Sequence, residues 1–266
     1  MNGLTLTELV LGLALTYGTP GRSPYSFELV PECGTAADAA NCDLRPACAE
    51  PAPACRPPRY SAARGGWVKM ETRAAAARRF ATIARTLADT ATRLMACGDG
   101  ADCEPLAWSG TTRSLALATL TVVLHESGLR EDVQFGHPPL GRGPAGESCL
   151  MQIALDQAPL GAAWLGPERR EAIARSRVER ERFAQSLLGD TPRALGRCFE
   201  VGMRLLARAR TSCGRAGVRW DFGMFSLYGG GRSCNVPAIG ASRGKTFQRL
   251  LAARPEPNPE LSELLR

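Results

Sequence analysis

The sequence predicts a mostly α-helical domain behind an irregular amino-terminal extension, and three observations carry that prediction. Between Met70 and Leu94, apolar residues recur every three or four positions with arginines between them. Residues 115–124 (LALATLTVVL) carry no charge, and His125-Glu126-Ser127-Gly128 closes the run. A third stretch, from about Arg193 to Arg210, sets Leu195, Phe199, Gly202, Leu206 and Ala209 on one side. A spacing of three to four residues is the period of a helix with one buried face.

Residues 1–18 read as an atypical signal segment. Leu9–Tyr17 (LVLGLALTY) resembles the apolar stretch of a signal peptide, but no Lys or Arg precedes it, Glu8 abuts it, and no small-x-small site follows. Residues 19–66 form a Cys/Pro-rich extension holding Cys33, Cys42, Cys48 and Cys55, with no sustained period. Pro51, Pro53, Pro57 and Pro58 forbid regular helix there. The helical domain is expected over 67–266. Its first helix carries Met70, Ala74, Ala77, Phe80, Ile83 or Ala84, Leu87, Ala91 and Leu94, and ends near Cys97-Gly98. The charge-free run is the second, buried on most of its circumference, with Gly128 placed to close it in the left-handed conformation. After a Gly/Pro-rich loop over 136–146, residues 167–188 predict one charged helix in which Glu171 and Arg175 pair. Beyond the Arg193–Arg210 helix, Asp221 caps a short helix with Phe225 and Tyr228 on a shared face, broken by Gly229-Gly230-Gly231. The tail after Ala253 reads as a loose end.

At 266 residues the chain can bury one sizeable core and carry a small extra module. No stretch reaches the ~20 apolar residues of a membrane span. The net charge of +7, mostly arginine, suits an anionic polymer such as bacterial wall, although a solvated surface would look alike. DNA is not expected, because no helix-turn-helix, zinc-finger or aromatic-platform pattern is present. Ten cysteines without C-x-x-C spacing argue against zinc ribbons and thioredoxin-like sites and for an oxidising compartment.

Glu126 is the candidate catalytic residue. Burial and the negative end of the helix dipole both disfavour its ionised form, against ~4.3 for a free glutamate. A carboxyl kept protonated towards neutrality can act as a general acid. Glycoside cleavage usually takes a second carboxylate, and Glu131, Asp132, Glu147 and Asp156 all remain open for that place. His125-Glu126 opens a zincin motif, but the second histidine it requires is replaced by Leu129. His137 lies in the Gly/Pro loop. No metal and no cofactor are expected, and His125 reads as a packed or hydrogen-bonded helix residue.

Three blocks in order resemble soluble lytic transglycosylases and goose-type lysozymes: E-S-G at 126–128, C-L-M-Q-I at 149–153 and L-Y-G at 227–229. The resemblance covers roughly residues 105–235. It implies a lysozyme-like (transglycosylase SLT-type) helical fold and cleavage of peptidoglycan between MurNAc and GlcNAc. In the transglycosylases one Glu protonates the glycosidic oxygen, then takes a proton from the substrate's C6 hydroxyl to give a 1,6-anhydro sugar. Goose-type lysozymes use water. By resemblance Ser127, Met151 and Gln152 bind substrate, and Tyr228 points its hydroxyl at Glu126 or at the sugar. Gln152 also needs a partner for its amide among apolar neighbours. Two positions depart from the pattern: Cys149 stands where glycine is usual, and Gly229 where asparagine is usual. The expected protein is a secreted or periplasmic, cell-envelope monomer acting on peptidoglycan strands. The alternative is a secreted Cys-rich wall-binding or inhibitor module with a vestigial site.

Helix geometry restricts the disulfides. Cys198 and Cys213 bracket one helix and would lie roughly 22 Å apart, against the ~4.4–6.8 Å a disulfide allows between α-carbons. Cys149–Cys198 and Cys213–Cys234 are the expected pairs, with Cys97–Cys103 closing a local loop.

Overall fold

The computed structural model describes residues 4–17, 29–30, 59–61, 66–68, 71–97, 104–136, 146–230, 233–254 and 259–265. These residues are mostly helical. Their β-strands are limited to Leu29–Val30 paired with Glu71–Thr72, and Arg59–Ser61 paired with Gly66–Val68. Beyond those short strands, the 19–66 extension with its four cysteines, Cys103 and His137 lie outside the described residues.

Helix α1 (Leu6–Tyr17) begins in a capping box. Thr5 Oγ1 accepts from Glu8 N at 3.2 Å, while Glu8 Oε2 accepts from Thr5 N at 2.8 Å. Leu9, Val10, Leu11, Leu13 and Ala14 are buried, chiefly against α2 (Arg73–Ala96). The apolar run expected to stand outside the domain therefore contributes a wall of its core, and the boundary at residue 67 does not bound that core. Fully burying each leucine or valine is worth ~1.5–3 kcal/mol.

Helix α3 (Thr112–Glu126) starts at Thr111, whose side chain accepts from Ser114 N at 3.1 Å. Every residue from Leu115 to Leu124 is buried. Thr119 and Thr121 tolerate this because their hydroxyls donate to the carbonyls of Leu115 and Leu117. The helix ends as expected: Gly128 has φ 58° and donates to Val123 O at 3.0 Å. Leu129 follows at φ 62°, turning the chain into α4 (Glu131–Phe135).

The charged segment forms two helices rather than one, α5 (Pro167–Arg175) and α6 (Arg177–Gln185). Ser176 breaks them, because its hydroxyl accepts from Glu179 N and so starts a new helix. Glu171 and Arg175 do pair.

Helix α7 (Pro192–Arg215) has 24 residues and extends the expected Arg193–Arg210 stretch by one residue at its start and five at its end. Thr191 caps it, with Pro192 in its first turn. It packs on α2, on the single turn Ala158–Gly161, and on α8 (Trp220–Gly230). Helix α9 (Pro237–Ala252) lies against both α8 and α3. Arg210 sits between the rings of Trp108 and Trp220, 4.6 and 4.3 Å from their centroids. The tail is not loose at its end: α10 (Pro259–Leu264) returns to α1, and Ser262 Oγ donates to Glu8 at 3.0 Å.

Cys149–Cys198 and Cys213–Cys234 are both disulfides, with α-carbons 6.2 and 5.4 Å apart. Cys97 is disulfide-bonded as well.

Candidate active site

The end of α3, the turn after Ser148, α7 and the end of α8 enclose a cavity of about 730 Å³. Glu126, Glu147, Gln152, Tyr228, Gly229 and Gly230 line one part of it, and Leu205, Arg208, Ala209 and Ser212 of α7 another.

The turn is built on an unusual backbone. Ser148 and Ile153 exchange both backbone hydrogen bonds, and Gln152 N donates to Cys149 O at 2.9 Å. Closing so short a loop puts Cys149 at φ 59° and Gln152 at φ 47°. Side chains rarely adopt that region, so each residue costs about 1–3 kcal/mol unless its surroundings hold it. Three contacts do so here. The disulfide ties Cys149 to α7, Gln152 Nε2 donates to Cys149 O at 3.1 Å, and Tyr228 Oη donates to Met151 O at 3.0 Å.

Glu126 occupies the expected place at the helix end, but its partner is one the sequence did not announce. Arg243 of α9 binds Glu126 Oε1 through Nη2 at 2.7 Å. Oε2 has no hydrogen-bond partner among the described residues, and 19 % of the side chain remains exposed on the cavity. Burial holds the Glu126 carboxyl above the usual carboxylate range; Arg243 opposes that, and the negative charge of Glu147 adds to it. The net direction is the one a general acid requires.

The remaining expected residues divide. Gln152 and Tyr228 line the cavity. Tyr228 does not hydrogen-bond Glu126, because its hydroxyl is spent on Met151 O; burial first, then the Glu126 charge, push that hydroxyl well above its usual range. Met151 and Ser127 do not line the cavity. The Met151 side chain is fully buried on Gly202 of α7, where any β-carbon would collide with it. Ser127 is buried too, its hydroxyl donating to Val123 O at 2.9 Å.

No family model, curated protein or solved structure matches the chain. What the site can do therefore rests on its own geometry. Of the four open carboxylates, Glu147 is the one that shares the cavity with Glu126. Asp156 is exposed and does not line it, and nothing is described of the Asp132 side chain. His125 is hydrogen-bonded through Nε2 to Thr246 Oγ1 at 2.9 Å, and burial, helped by Arg243, lowers it to about 4. Among the described residues, no three His, Cys, Asp or Glu side chains gather as metal ligands would. A second cavity of about 720 Å³ shares Leu160, Arg208 and Ser212 with the first and adds Arg170, Arg204 and Arg215. Among the described residues, no helix is long and apolar enough to cross a membrane.

Proposed function

We propose that the chain is a peptidoglycan-cleaving glycosidase of lysozyme-like architecture, a lytic transglycosylase that cuts the MurNAc–GlcNAc β-1,4 bond. The observation that carries this reading is Glu126: a buried carboxyl, raised above its usual range, with one oxygen anchored and the other free on an open cavity. In its protonated form it donates to the glycosidic oxygen as the bond breaks. As carboxylate it then accepts the proton of the C6 hydroxyl, whose oxygen closes on C1 to give the 1,6-anhydro product. Gln152 and Tyr228 line the same cavity, which supports a role for them in contacting the sugar.

The backbone gives further support. Cys149 stands where glycine is usual in the resembled family, and its positive φ is a conformation that favours glycine. Here a disulfide holds the strained position instead. The two contiguous cavities suit an extended polymer, and their arginines suit an anionic one. Two disulfides agree with an extracellular or otherwise oxidising environment, which is where wall is met.

Glu147 favours a second reading in which water is the acceptor. A second carboxylate on the cavity can activate it, as in a goose-type muramidase. A wall-binding module with an idle site would bind without cutting. Turbidity of purified wall tests the first two readings against the third. The chain should clear the suspension and Glu126→Gln should not; binding without clearing would defeat the enzyme reading.

A further inference from the structure

Glu126 lies in a setting that leaves it poorly controlled. It ends a buried helix, faces Glu147 from the loop and the Tyr228 hydroxyl from α8, and follows His125, which is neutral above its depressed pKa. Each of these disfavours the carboxylate or is neutral towards it. Among the described residues, Arg243 is the one cation acting on the group, and it comes from α9.

The position of that arginine is unusual. Its residue is only 8 % exposed, and Nη1 is buried without a hydrogen-bond partner among the described residues. Arg204, by contrast, spends Nε on Glu200 and Nη2 on the Glu104 carbonyl. The guanidinium of Arg243 lies beside Gly229, and Gly229 lines the cavity. A β-carbon at 229 would fall 2.7 Å from Cζ and 2.8 Å from Nη2, closer than real contacts allow. The Gly229 site and the Arg243 head thus compete for one volume, and the arginine holds it because residue 229 has no side chain.

We propose that Arg243 is the positioning residue of this site, seated in the space left by Gly229 so that Glu126 presents its free oxygen to the cavity. The role rests on reading Glu126 as the acid. Arg243 fixes Oε1 by a charge-assisted hydrogen bond, which removes the carboxyl's freedom to swing. It also prevents burial and Glu147 from driving the group permanently into its protonated form, so Glu126 can both give and recover a proton. Gly229 is the second half of the device, since any side chain there displaces the flexible end of the arginine.

The test separates the arginine's role from the activity itself. Glu126 is followed by ¹³C NMR of its side-chain carboxyl, assigned by its loss in Glu126→Gln, in the full chain and in Arg243→Met, Arg243→Lys and Gly229→Ala. Arg243→Met should move the titration to higher pH. Gly229→Ala, which retains the arginine but pushes it aside, should move it the same way, and Arg243→Lys should fall between parent and Met. Wall lysis should show its alkaline limb displaced upward in the same order, with kcat reduced by up to ~100-fold and KM little changed, as for a displaced reacting group. Gly229→Ala keeps the test alive should Arg243→Met not fold. An unmoved titration in a folded Arg243→Met or Gly229→Ala protein overturns the role of the arginine whatever the activity does. Parental lysis by Glu126→Gln would instead remove the acid reading beneath it.

Discussion

Glu126 and Glu200 are both acids packed into the helical core and paired with arginine, yet their surroundings differ in kind. Glu200, on α7, uses both oxygens: Oε2 takes Arg93 Nη2 at 2.7 Å and Oε1 takes Arg204 Nε at 3.3 Å. It lines neither of the two cavities. Glu126 has one oxygen bound and the other open to a cavity that also holds Glu147. A carboxylate whose acceptors are all engaged is part of the framework. One left half-satisfied beside a cavity, with burial opposing its ionisation, is equipped to exchange a proton.

The sharpest way to break this contrast is to neutralise each acid in turn. Glu126→Gln should lose about 10²–10⁴-fold in turnover, the usual worth of a placed acid, and keep its fold by circular dichroism. Glu200→Gln should keep turnover in the folded protein and lose ~2–3 kcal/mol of stability by denaturant titration. That is below the ~3–5 of a fully buried broken pair, because Arg93 can return its head to solvent. Equal loss of activity from both would erase the distinction.

Next in size is the scaffold of the turn. Replacing Cys149 and Cys198 with serine releases a 49-residue separation, worth about 4 kcal/mol by chain entropy, against about 3 for the 21 residues between Cys213 and Cys234. The first pair should also raise KM, because Cys149 and Gln152 lose what holds their positive φ. Reversed ranking in denaturant titrations of the two variants would show that the turn is held chiefly by Tyr228 and the Ser148–Ile153 bridge.

The smallest effect is a pH dependence. His125 titrates near 6.5 in an unfolded chain and at about 4 in the native one. Between those values the unfolded state binds more protons, so stability from this group is full above about 6.5 and is lost as pH falls towards 4. His125→Gln should flatten that part of the stability profile, checked by thermal melts across the window. An unchanged slope would mean the imidazole is not buried neutral.

Helices α2 and α7 were legible because their apolar residues keep a helical period, and α3 because its charge-free run closes at Gly128. Both disulfide pairs were legible too, whereas the 16 residues of α9 were not. Helix α1 was not, because near-continuous apolar residues look like a leader; the missed signal was Thr5-x-x-Glu8, a capping box. Ser176 hid the break between α5 and α6 in the same way, as a capping residue inside a run of charge. At the site, the position of Glu126 followed from local sequence. Arg243 did not, since nothing in α9 marks one of its two arginines over the other. Its single trace was a missing side chain at Gly229, and only packing shows what fills that space. The φ values of Cys149 and Gln152 were equally hidden, because neither residue type advertises a left-handed turn.

The glycan cleavage proposed for Glu126 is read most plainly from its product. Purified peptidoglycan is digested with the parent chain and with Glu126→Gln, and the soluble fragments are weighed by mass spectrometry. The account predicts 1,6-anhydro-muropeptides from the parent and none from the variant. Fragments with reducing ends would replace the transglycosylase by a hydrolase, and identical fragments from both proteins, or none from the parent, would contradict the claim.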